Sequence, residues 1–200
     1  MREPALIVAC GALAAELRAV LPPGSAEVRY LPAHFHNRPE RIVPALAPIL
    51  DEAAASGRTA FVAYADCGTG GALDRLLADH PGVERLPGAH CYELFAGAEL
   101  FATLHDDEPG TFFLTDFLTR HFEPLVWQGL GLDRHPELRD VYFAHYRRVV
   151  LLSQSDDPEL VDDARRAADR LGLRFEHRHV GRRRLATAIA VAVDLPSRVA

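Results

Sequence analysis

FVAYADCGTGG, residues 61–71, passes from an apolar run of strand length straight into an acid, a thiol and a glycine-rich turn. The residues that follow, Ala72 to His80, carry Leu73, Leu76, Leu77 and His80 at helical spacing, so the whole reads as strand, tight loop and helix. In an open α/β sheet such a loop lies at the carboxyl end of a strand, where ligands bind. Gly68, Gly70 and Gly71 permit a sharp bend and a close approach of backbone to ligand, and Cys67 sits among them.

The same unit recurs on either side. Ala5 to Ala9 (ALIVA) is an apolar strand followed by Cys10, Gly11 and a helical face of Leu13, Leu17 and Val20. Glu27 to Leu31 predicts a second strand, and Ile42 to Leu50 a helix with Asn37 as its N-cap, which Pro44 and Pro48 should kink or split into two short ones. After the central unit come a short strand at Val83 to Leu86, helices from Tyr92 to His105 interrupted at Gly97, and a strand at Thr111 to Thr115. A mostly helical stretch then runs to Tyr146, broken near Gly129, Gly131 and Pro136. Val149 to Leu152 and Leu173 to Val180 are the last strands, each followed by a helix; Asp156 and Asp157 read as caps of the first, with Pro158 opening it. Alternating strands and helices predict an α/β fold with an open, mainly parallel sheet and helices on both faces. Two hundred residues suit a single α/β domain, 1–200, with two lobes at about 1–108 and 109–200 as the variant.

Composition narrows the function. A net charge of −6 disfavours nucleic acid as a partner, and no apolar run reaches the length of a membrane span, so the expected location is the cytoplasm. All 22 basic side chains are arginine, which excludes Schiff-base chemistry on lysine and a P-loop. Three cysteines without an export signal argue against a disulfide framework.

Cys10, Cys67 and Cys91 match no local metal motif, yet each comes at or shortly after the carboxyl end of a predicted strand. In a common doubly wound order those strands are neighbours about 4.8 Å apart, so the thiols can reach one centre and hold zinc or an iron–sulfur cluster, with His90 as a further ligand. The bland reading is three unconnected buried thiols. A second reading makes Cys67 a nucleophile at a helix start, with His36 or His90 as base, in a cysteine-dependent hydrolase or transferase. In a third, the backbone donors of Gly68, Thr69, Gly70 and Gly71 cradle a small anion in a non-catalytic binding module. The pairs His34/His36 and His177/His179 read as surface residues, and Trp127, Tyr142 and Phe143 as core or lobe contact.

ACGAL near the start, LPAHFHNRPER, ADCGTGG, PGAHCYELFAG and PGTFFLTDFL resemble, in that order, the bacterial and archaeal domain-of-unknown-function family numbered 1638. The sequence departs from the family's usual form at Thr69, where asparagine is frequent, and in AHCYEL, where HDC and an apolar run are frequent. The resemblance points at Cys10, His36, Cys67, His90 and Cys91. It implies a companion of corrinoid-dependent methyl-transfer systems in one-carbon metabolism, acting with a small molecule or a corrinoid-system protein.

Overall fold

The computed structural model describes residues 4–192. Its first strand, β1 (Ala5–Cys10), is buried almost throughout. It leads through a 3-10 turn to α1 (Ala14–Val20) and then to β2 (Ala26–Leu31). Two further 3-10 turns precede α2 (Ile42–Ala55), after which β3 (Ala60–Ala63), α3 (Ala72–Ala78), the two-residue β4 (Glu84–Arg85) and α4 (Cys91–Ala96) follow. Beyond these lie α5 (Ala98–Asp107), β5 (Thr111–Thr115), α6 (Asp116–Arg120), a π-helical turn at Glu123–Trp127 and α7 (Leu138–Tyr142). The chain continues through β6 (Arg148–Ser153), α8 (Pro158–Leu171), β7 (Arg174–His179) and α9 (Arg183–Ala192). None of the described helices is long and apolar enough to cross a membrane.

Every strand pairing is parallel, and the expected α/β fold is the observed one. The strands form two sheets, a four-stranded one of order β2-β1-β3-β4 and a three-stranded one of order β5-β6-β7. The central strands β1, β3 and β6 are apolar runs buried on both faces, whereas the edge strands AEVRYL and RFEHRH interleave charges and stay half exposed.

The chain divides into two compact units, Met1–Leu94 with Arg183–Ala200, and Phe95–Arg182. In the first, Leu17, Ile42, Leu46, Leu50 and Leu73 bury against the sheet, and α9 returns to pack on α1 through Leu185 and Ile189. In the second, Leu114, Val149 and Leu151 meet Leu171, Phe143 and Trp127 in one core, with the Arg170 guanidinium 3.7 Å from the Trp127 ring centre. Tyr142, by contrast, is exposed.

Two local expectations change. Asn37 does not cap α2, because the turn at Pro39–Arg41 intervenes and Arg41 occupies the cap position. Nor does proline divide that helix. Pro44 lies in its first turn, where the missing N–H has no helical partner to lose, and the helix runs on through Pro48.

Candidate functional site

In the first sheet the chain steps from β1 outward to β2 and then back across to β3, so the strand order reverses between β1 and β3. Such a reversal opens a crevice at the carboxyl ends of the two strands. Ala9 is in register with Ala63, which sets Cys10 beside Tyr64 at that edge, with Cys67 three residues further on. The third cysteine is brought in by backbone pairing that extends β3 and β4 past their formal ends. The Asp66 N–H donates to the Gly88 carbonyl (3.2 Å) and the Cys67 N–H to the Ala89 carbonyl (2.9 Å). His90 and Cys91 follow directly, Cys91 opening α4.

Three side chains hold these loops. Asp66 accepts from Gly71 N–H (2.9 Å), Gly70 N–H (3.1 Å) and the Thr69 hydroxyl (2.7 Å), and those donors, with Arg85 adding less, hold its carboxyl below the usual carboxylate range. Arg85 donates to the Leu86 and Gly88 carbonyls and makes a paired contact with Asp74 on α3. Glu93 accepts from Ala89 N–H across Gly88, where any Cβ would collide with the Glu93 carboxylate. The glycine turn expected to cradle an anion therefore presents its Gly70 and Gly71 donors to the chain's own carboxylate, while Gly68 packs near Pro39.

The thiols respond to one another. Burial pushes Cys10 up to about 11 and Cys67 up to about 12, and raises Cys91 as well; negative charge on Cys10 raises Cys67 further, and charge on either raises Cys91. All three are free thiols, neutral at pH 7. His36 Nδ1 lies 3.5 Å from Cys10 Sγ and 3.2 Å from the Ala33 carbonyl oxygen. A carbonyl can only accept, so Nδ1 carries the proton and Nε2 the lone pair. Protein crowding holds the His36 pKa below its ordinary value, and His90 is near enough to depress it further. Over this set lies Tyr64, its ring roughly parallel to that of His36 at 6.5 Å between centres. Among the described residues no three His, Cys, Asp or Glu side chains stand together as a finished set of metal ligands.

The helix-start expectation transfers from Cys67 to Cys10. The Cys10 sulfur accepts from the Ala12 N–H (3.3 Å) at the head of a helical segment, whereas α3 begins five residues after Cys67 with Gly71 at its cap. Cys67 is 9 % exposed and its thiol is less acidic than a free one, so the activation expected of a nucleophile is missing there. It is also the only non-glycine residue among those described with a left-handed backbone (φ 50°), a conformation that costs a side chain about 1 kcal/mol. The sequence reading passed over Tyr64, Asp66 and Arg85. Only Asp66 left a trace, as an acid three residues before a threonine in a glycine turn.

The second sheet gathers polar groups at its own carboxyl edge. Ser153 Oγ lies 2.9 Å from His177 Nε2 and 3.2 Å from His179 Nδ1, so this histidine pair, exposed at the surface as expected, also meets the strand end. His179 Nδ1 also faces Asp156 (3.4 Å), and a nitrogen shared in this way cannot relay a proton between serine and acid. Asp116 is fully buried and accepts from Gln154 N–H (2.8 Å) and the Ser155 hydroxyl (2.5 Å), a closed network that joins β5 to β6.

A family model described as a protein of unknown function (DUF1638) matches residues 30–189. The matched stretch includes His36, Cys67, His90 and Cys91 and begins after Cys10. No curated protein matches the chain.

Proposed function

We propose, from the premise that the chain belongs to DUF1638, a family of proteins of unknown function, that Cys10, Cys67 and Cys91 form a thiolate metal centre. The observation that carries this reading is the arrival of three free thiols at one sheet edge, where Cys67 feels charge on Cys10 and Cys91 feels charge on both. Two further features support it: the strained backbone of Cys67, and a histidine beside Cys10 with its tautomer set by a carbonyl. Three sulfurs and an imidazole are soft donors suited to zinc; alternatively, they hold an iron–sulfur cluster and leave one iron for an external ligand. His36, through Nε2, or His90 supplies the fourth donor to zinc. Cys10, Cys67 and Cys91 would hold such an ion as thiolates, giving up their three thiol protons. Three cysteines without a disulfide support a cytoplasmic location in this reading. The family resemblance supports, in this reading, a partner in corrinoid or one-carbon metabolism.

The test is anaerobic reconstitution with zinc, and separately with iron and sulfide, followed by metal and sulfide analysis. The parent should bind one ion or one cluster, and Cys10→Ser, Cys67→Ser and Cys91→Ser should each lose most of it. A parent that binds neither, or three variants that match it, would return the cysteines to packing residues.

A further inference from the structure

β7, RFEHRH, ends the second sheet, and among the described residues no strand lies beyond it. Its backbone alternates. The Arg174 N–H donates to the Arg147 carbonyl (3.3 Å) and the Val180 N–H to the Ser153 carbonyl (2.9 Å), so the even-numbered residues face β6. In a parallel ladder the residues between them, Phe175, His177 and His179, turn their N–H and carbonyl groups to the open edge. Such a row is a template for another strand.

Both exposed edge strands carry charge, which by itself discourages pairing. On β2 the charge balances, Arg29 and Arg58 meeting Glu27 and Glu52. On β7 it does not. Its single acid, Glu176, is shared by Arg178 (3.2 Å) and by Arg148 of β6 (2.9 Å), which leaves no acid of the strand for Arg174. Even counting Asp156 beside His179, three guanidiniums meet two carboxylates, in a chain whose net charge is −6. Arg174, His177, Arg178 and His179 are all exposed. Two copies laid β7 to β7 would set these cations against one another, whereas an acidic strand would gain the backbone bonds and the charge attraction together. We infer that the β7 edge is a docking site for an extended acidic segment of a partner protein, which adds to the second sheet as a fourth strand. The inference is independent of the metal reading.

The test uses the full-length protein and a short synthetic peptide that alternates threonine and glutamate. The peptide should bind, slow amide exchange at Phe175, His177 and His179 as followed by NMR, and bind less tightly as salt is added. Arg174→Glu should weaken binding about tenfold, since an opposite-charge pair becomes a like-charge one. His177→Pro removes one outward donor, spares the ladder to β6 and should abolish the protection. If His177→Pro does not fold, Arg174→Glu, at an exposed position, decides alone. A peptide that does not bind, or binds without protecting those amides, would overturn the inference, as would variants that bind like the parent. Equal protection by a short oligothymidylate would overturn it in favour of nucleic acid. The same protection without peptide, rising with protein concentration, would overturn it in favour of a second copy.

Discussion

Asp66 does for the glycine loop what a bound anion would have done, offering two carboxylate oxygens to the donors of Thr69, Gly70 and Gly71. Asp66→Ala should therefore lower unfolding stability by about 1–3 kcal/mol in a denaturant titration, since three hydrogen bonds to a charged group are lost together. The sign of the pH effect follows from its lowered pKa. The contribution is full above the unfolded value of 3.8 and is lost as pH falls through the folded one. The thiols act at the other end of the scale. Cys10 and Cys67 are raised from 9.0, so they stabilise the fold fully below pH 9 and less and less as pH climbs towards 11 and 12. For Cys10 alone the loss is about 2–3 kcal/mol, at 1.36 kcal/mol per unit. Denaturant midpoints between pH 8 and 11 should fall in the parent and fall less in Cys10→Ala. These residues differed in how readable they were. A cysteine ending an apolar run stands out in a sequence, but the environment of a tyrosine hydroxyl depends on register with another strand and leaves no local pattern.

At the scale of elements, strands and helices were legible because their periodicity is local. The TFFLT strand and the interruption at Gly97 lie where the sequence placed them. Asp157 accepts from the Glu159 N–H and Pro158 opens α8, as the cap signal implied. What periodicity could not show is which strands pair. Alternation implies parallel strands but does not distinguish one sheet from two. Glycine chemistry offers a test here. Gly172 ends α8 in a left-handed conformation (φ 74°) with open space around it, so Gly172→Ala should cost only the backbone strain, about 1 kcal/mol. At Gly110 a Cβ would fall well inside contact with the His145 carbonyl oxygen, next to the Gly110 carbonyl that accepts from Arg147 and Arg148. Gly110→Ala should cost about 1–3 kcal/mol, more than the first, and thermal melts of the two variants would rank them. A reversed ranking would mean that the 108–111 turn yields more readily than the end of α8.

For the whole molecule, the division runs at Leu94 and again at Arg182, so the unit that carries the thiols is built from both ends of the chain. The sequence suggested a single domain, with lobes of about 1–108 and 109–200 as the variant, and no helical period announces that α9 belongs with α1 rather than with the strand before it. A chain stopped after residue 182 should expose the α1 face that Leu185 and Ile189 cover. Hydrogen exchange on that truncated chain should show lost protection in α1 and retained protection in β6 and α8. Equal protection throughout would mean that α9 adds little to its unit.

This discontinuity has a consequence during synthesis. A ribosome delivers residues in order, at roughly 5–20 per second. The strands bearing Cys10 and Cys67 emerge before Phe95–Arg182, but the helix that completes their unit emerges after it. Phe95–Arg182 can close while the segment before it still waits for its final helix. The nascent chain would then hold its thiols in a half-built unit, open to solvent, for as long as the whole of Phe95–Arg182 takes to be made.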